Sequence, residues 1–365
     1  MIRRILMTGD TAGGVWTYTM ELAEALGEHG IHVVLAALGG PPSAEQRREA
    51  NRIPNLELLA SDFKLEWMDD PWQDVAASGR WLLDLEEQYA PDAVHLNSYG
   101  HGALAWSAPT VVTAHSCVLS WWRAVRGGDA PPSWDRYRDT VAECLRAAHV
   151  VTAPSRAMAA ALAEHYGFED CRVIPNGRSG ARFRRAEKEA MVLAAGRLWD
   201  EGKNIAAVAQ AARSLRWPVY IAGEHCHPAG GEARFAGCTP LGRLGPEALA
   251  GWYARAALFA LPARYEPFGL GPLEAALSSC ALVLGDIPSL REVWGDAAAY
   301  VPPENPAALA DTLGGLIADP QRRERMAQAA ASRAREYTPQ RMAREYAAIY
   351  EAVQEAKAGR RTLCA

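Results

Sequence analysis

Two glutamates, Glu266 and Glu274, stand with seven residues between them in the run Glu-Pro-Phe-Gly-Leu-Gly-Pro-Leu-Glu. An ionised carboxylate is a pure acceptor and can take hydrogen bonds from two adjacent hydroxyls, the pattern a ribose diol or a hexose presents. Taken singly, a solvated loop glutamate and a helix glutamate that complements the dipole would explain the same residues. A second set of charges lies upstream, where Arg197 and Lys203 occur in the segment Gly-Arg-Leu-Trp-Asp-Glu-Gly-Lys-Asn ending at Asn204. Two cations on one loop suit a diphosphate leaving group, because the charge that grows on it is largest in the transition state. Only four of the 38 basic residues are lysines, at 64, 188, 203 and 357. A lysine at this place in an arginine-rich chain suggests a need for a compact point charge.

The surrounding elements must carry these groups to one place. Ala257 to Pro262 is a short uncharged run, the pattern of a buried parallel strand, and Leu273 to Ser278 is predicted as a helix. Glu266 then lies at the carboxyl end of a strand and Glu274 near a helix start, where ligands bind in open α/β sheets. Ala190 to Gly196 is a second such strand, leading straight into Arg197. In the first half, Gly9-Asp-Thr-Ala-Gly-Gly14 joins a strand to a helix, so Gly13 and Gly14 let the backbone approach an anion. The spacing is not the Gly-x-Gly-x-x-Gly of a nicotinamide site. His115 closes the strand Thr110 to His115, at the corresponding sheet edge. Trp121 and Trp122 follow in a predicted loop, where they would stack on a sugar acceptor, act as a lid or touch a lipid surface.

The Glu266 to Glu274 segment resembles the E-x7-E signature of the retaining glycosyltransferases of family 4, which adopt the GT-B fold. The likeness continues through Ser278 to Leu284 and Pro288 to Val293, covers nearly the whole chain and is strongest from about Val192 to Pro302. It implies two Rossmann-like, doubly wound parallel-sheet domains facing a central cleft. It also implies sugar transfer from a nucleoside-diphosphate sugar to an acceptor hydroxyl on a glycan, a lipid-linked molecule or a small molecule. By resemblance, Arg197 and Lys203 hold the diphosphate, with the Gly13-Gly14 loop and the Phe268, Gly269 and Leu270 amides alongside. Glu274 takes the ribose and Glu266 the donor sugar, while Gly242 and Arg243 lie near the base. His115 sits by the acceptor and the reacting sugar. No cofactor and no metal are expected, because lysine and arginine replace the divalent ion. The spacing from Arg197 to Lys203 is one residue longer than the family's commonest form.

Other readings meet specific obstacles. A P-loop needs four residues between its glycines and a hydroxyl after the lysine, whereas five separate Gly196 from Gly202 and Asn204 follows Lys203. A sugar-nucleotide epimerase of the same fold and a non-catalytic nucleotide-sugar sensor both remain open. His225-Cys226-His227 with Cys238 imitates a metal cluster but lacks a second close ligand pair. A net charge of −5 argues against a general nucleic-acid binder. Scattered cysteines, seven in number, suit reduced thiols and a cytoplasmic location, and the apolar run at Met1 to Gly9 is too short for a signal-peptide core or a membrane span. Weak peripheral membrane contact through Trp121 and Trp122 is the least favoured use of that pair, since no basic amphipathic helix is expected beside it. A length of 365 residues suggests more than one core. The expected division is 1–175 for acceptor binding, 176–337 for donor binding and 338–365 as a helix crossing back to the first domain. Its oligomeric state is left open.

Overall fold

A computed structural model describes residues 2–225 and 235–363, with side chains to residue 358. The chain forms two compact units, one of Met1–Trp122, Asp129–Gly177 and Pro339–Ala365, the other of Arg123–Gly128 and Arg178–Thr338.

The first unit is a parallel sheet. Its strands are β1 (Arg4–Asp10), β2 (His32–Leu38), β3 (Leu56–Ala60), β4 (Ala93–Leu96), β5 (Thr110–Thr113), β6 (Val150–Ala153) and β7 (Cys171–Val173). They lie in the order β3-β2-β1-β4-β5-β6-β7. The order reverses direction beside β1, and at such a switch point the loops at the strands' carboxyl ends diverge and leave a crevice. Strands β1, β2, β4 and β5 are almost entirely buried, which explains why their sequences show no regular polar–apolar alternation and why the charges of β1, Arg4 and Asp10, stand only at its ends. Helix α1 (Gly14–Leu26) opens at Gly13, whose φ of 97° favours a residue without a Cβ. Further helices are α2 (Ala44–Ala50), α3 (Trp72–Tyr89), α5 (Asp135–Ala147) and α6 (Arg156–Tyr166), while α4 (Val118–Arg126) has its first residues, to Trp122, in this unit and its last four in the other.

The second unit repeats the architecture with β8 (Glu189–Ala195), β9 (Val219–Ala222), β10 (Thr239–Gly242), β11 (Ala256–Leu261), β12 (Ala281–Gly285) and β13 (Ala299–Val301), in the order β10-β9-β8-β11-β12-β13. The helices around this sheet are α7 (Ile205–Ala212), α8 (Pro246–Arg255), α9 (Leu270–Leu277), α10 (Pro288–Trp294), α11 (Pro306–Ala318) and α12 (Pro320–Ala334). The last helix, α13 (Pro339–Leu363), belongs to the first unit and lays Met342, Tyr346, Ile349, Tyr350 and Val353 into its core beside α1. Polar groups line that contact as well. Tyr350 Oη is 2.6 Å from His95 Nδ1, and Thr113 Oγ1 lies 2.7 Å from His95 Nε2 and 3.0 Å from Tyr346 Oη.

Two local expectations are corrected. Trp121 and Trp122 lie in helix α4 and not in a loop: the Cys117 carbonyl accepts from the Trp121 N–H, and Arg123 and Arg126 fall in the last turn, where cations favour helix. Adjacent residues on a helix do not share a face, so the two rings, 5.9 Å apart and edge-on, form no flat platform. Helix α9 also begins three residues earlier than expected, so Glu274 is its fifth residue, in the second turn.

Candidate active site

In the second unit, the loops that leave β8, β9 and β11 are tied together at the carboxyl edge of the sheet. Gly223, just past β9, presses against the loop after β8: a Cβ placed there would lie 1.7 Å from the Gly196 carbonyl oxygen. Gly223 N–H also donates to the Gly242 carbonyl at the end of β10. Asn204 holds a left-handed turn after Lys203, and its amide donates to the carbonyls of Pro262 (2.9 Å) and Pro303 (2.8 Å). The Gly202 carbonyl accepts from the N–H groups of Arg264 and Tyr265. These bonds stitch the lysine loop to the glutamate loop.

The result is a direct ion pair. Lys203 Nζ donates to Glu266 Oε2 at 2.6 Å, with the side chains only 16% and 13% exposed. The Lys203 stem lies over Gly196, and Ser289 donates its hydroxyl to the Glu266 carbonyl. Arg197, 39% exposed, donates to Asp200 Oδ2 at 3.0 Å, while Asp200 Oδ1 accepts from the Gly202 N–H. Both expected diphosphate cations thus stand at one sheet edge, each positioned by a carboxylate. Phe268 is core, packed edge-on against Tyr337. Gly269 caps α9, and the first amides of that helix have no intrahelical acceptor, so they can donate to an anion. Glu274 turns inward, where Arg178 Nε donates to its Oε1 at 2.8 Å. Gly242 ends the edge strand β10, and Arg243 follows it.

In the first unit, Gly13 caps α1 and Gly14 is its first residue, with Asp10 Oδ1 accepting from the Ala12 N–H at 2.6 Å. His115 lies past β5 with its ring edge-on to Tyr18, at 4.5 Å between centroids. Asn97 fixes its tautomer. The Asn97 amide nitrogen donates to the Thr8 carbonyl at 2.6 Å, so Oδ1 faces His115 Nε2 at 2.8 Å and accepts a hydrogen bond from the Nε2–H. Burial pushes the imidazole down to about 3, so the ring is neutral at physiological pH and Nδ1 carries the lone pair.

Asp200, Asn204, Gly223, Asn97 and Arg178 are structural parts of these sites that motif spacing did not single out. Only the left-handed Asn204 after a lysine and the strand-end Gly223 left a local signal. Among the described residues no group of three or more His, Cys, Asp or Glu side chains stands ready for a metal ion. Cys226 and His227 lie outside the described residues.

Comparison with known proteins decides the family. A model for Glycosyltransferase Family 4 matches residues 12–179, and one for Glycosyl transferases group 1 matches residues 189–319. The chain belongs to the family 4, group 1 glycosyltransferases. Among relatives of this glycosyltransferase, a D-inositol 3-phosphate glycosyltransferase from Xylanimonas cellulosilytica is 27% identical over 90% of this chain and 89% of its own. A glycogen synthase from Mycobacterium tuberculosis is 29% identical over 90% of each. Among solved structures, sucrose-phosphate synthase from Thermosynechococcus elongatus superposes with a TM-score of 0.80 at 19% identity, covering 97% of this chain and 100% of that one. Anabaena HepE, solved in complex with UDP-glucose, superposes at 0.73 with 18% identity over 96% and 99%. The fold is GT-B and the activity is glycosyl transfer. No helix among the described residues is long and apolar enough to cross a membrane.

Proposed function

We propose that this enzyme moves a sugar from a nucleoside-diphosphate sugar to a hydroxyl of a polyhydroxylated acceptor, free or lipid-linked, with retention at the anomeric carbon and without a bound metal. The observation that carries the reading is the Lys203–Glu266 pair beside Arg197, at a sheet edge that also presents the amides of α9. Arg197 and Lys203 take the diphosphate, and their charge counters the negative charge that develops on it as the sugar departs. They stand in for the divalent ion that would otherwise do so. Glu266, adjoining the lysine, takes hydroxyls of the donor sugar, and Glu274 takes the ribose. The Gly13–Gly14 turn adds its amides to the phosphates, and Gly242 and Arg243 adjoin the base. Neutral His115 offers Nδ1 as an acceptor to a hydroxyl of the acceptor or of the reacting sugar.

The family resemblance supports retention, and HepE's complex with UDP-glucose supports a nucleotide-sugar donor. An inositol phosphate in one relative's name and glycogen in another's support acceptors rich in adjacent hydroxyls. A cytoplasmic site of action fits the scattered cysteines. The test incubates the protein with UDP-, GDP-, ADP- and dTDP-sugars, a panel of polyol acceptors and EDTA, and follows nucleoside diphosphate release. Acceptor-dependent release with a product of unchanged anomeric configuration is expected. An altered donor sugar would instead show an epimerase, and unchanged turnover in Lys203→Ala would sink the site assignment.

A further inference from the structure

Arg178 is the first residue of the second unit's main segment, and its guanidinium does not go to solvent. Its Nε donates to Glu274 Oε1 at 2.8 Å, with the side chains 6% and 12% exposed. The arginine is itself held in place: its N–H donates to the Tyr337 carbonyl, and its guanidinium carbon lies 5.2 Å from the Phe183 ring centroid. The Tyr253 hydroxyl is also hydrogen-bonded to Glu274 and is kept protonated by burial and by that carboxylate.

A buried ion pair is a poor source of stability, because the desolvation of both charges offsets their attraction and well-packed apolar residues serve as well. Its physical effect is more specific. Arginine is always charged, so it keeps a carboxyl beside it ionised and in one orientation. A neutral carboxyl can offer a diol one donor and one good acceptor, whereas a carboxylate accepts from both hydroxyls. Each carboxylate oxygen accepts more than one hydrogen bond, so Glu274 can accept from Arg178 and from hydroxyls together.

We propose that Arg178 is a positioning residue for ribose recognition: it holds Glu274 in the one orientation that accepts from both hydroxyls of the nucleotide ribose. This rests on the assignment of Glu274 to the ribose, and the test separates the two. Dissociation constants are measured by calorimetry on the full chain for UDP and for its 2′,3′-dideoxy analogue, with the ADP and GDP pairs alongside, at pH 6.5 and 8.5. The ratio within a pair isolates the contribution of the hydroxyls.

The wild type is expected to prefer the ribose form about tenfold or more, equally at both pH values, since two hydrogen bonds to a charged group are at stake. Glu274→Gln brings the ratio to within about threefold of one at both. Arg178→Met does so at pH 6.5 and regains part of the preference at pH 8.5, because a buried carboxyl stripped of its cation holds its proton to a higher pH and ionises as the pH rises further. Arg178→Lys, which restores the charge, keeps most of the preference. Arg178→Gln replaces Arg178→Met if the latter does not fold. If the arginine variants weaken ribose and dideoxyribose forms equally and leave the ratio intact, Arg178 is structural and the inference is overturned. If Glu274→Gln leaves the ratio intact, the ribose assignment fails first and the inference with it.

Discussion

Lys203 and Glu266 neutralise each other at 2.6 Å, so a diphosphate that takes the ammonium must share it with the carboxylate or displace it. The two single variants therefore differ in sign. Lys203→Met removes a fixed cation from the leaving group and leaves the carboxylate unpaired, so transfer is expected to fall by about 10²–10³. Affinity for the bare nucleoside diphosphate falls with it. Glu266→Gln frees the ammonium for phosphate, so calorimetry is expected to show nucleoside diphosphate binding unchanged or stronger, while transfer drops through loss of the sugar contact. Weaker binding of the bare diphosphate in Glu266→Gln would mean that the carboxylate serves the phosphate side. His115 follows the same logic through Asn97, whose fixed amide determines which ring nitrogen carries the proton.

At the scale of elements, the second unit's site depends on how closely its loops approach. Gly223→Ala would drive a methyl group into the Gly196 carbonyl, at a φ of 146° that L side chains rarely adopt. The expected outcome is a loss of about 3 kcal/mol or more of stability, or a displaced lysine loop, read by denaturant unfolding and by nucleotide affinity. The first unit depends on α13. Tyr350→Phe leaves a nitrogen of the buried His95 ring without its partner, a cost of about 1–3 kcal/mol. Tyr346→Phe costs less, because Thr113 and Thr152 still bond to each other at 2.8 Å. Equal midpoints for the two variants in urea would argue against that division of roles. Helix α4 shows where local reading stopped short. The nine residues before Gly127-Gly128 read as loop, although Val118, Trp121, Trp122 and Val125 recur at helical spacing and Arg123 and Arg126 complete a basic last turn.

The whole molecule should lose stability in mild acid. Burial lowers His95 to about 3, His101 to about 4 and His115 to about 3, from the ordinary 6.5. His95 is lowered further by the neighbouring His115. The unfolded chain takes up protons on these rings below about pH 6.5, while the folded one does not until pH 3 to 4. The stability their neutral burial contributes is thus complete above about pH 6.5 and is lost as the pH falls toward the folded values. The loss is at most about 1.4 kcal/mol per pH unit for each ring. Scanning calorimetry from pH 7.5 to 5 should show a falling midpoint, with a shallower slope in His101→Gln; a flat profile would show that these rings do not stay neutral in the fold. Sequence by itself determined the elements whose cause is local: the buried strands before Arg197 and Glu266 as uncharged runs, the Gly13-Gly14 turn as a strand-to-helix junction, and the glutamate pair as a recognisable spacing. The partnerships needed the tertiary structure. Lys203 meets Glu266 across 63 positions and Arg178 meets Glu274 across 96, both in the second unit, where β8, β11 and β12 adjoin although their sequences are far apart. Neighbours along the chain set periodicity, whereas strand order sets which loops converge, and no period in the residues encodes that order.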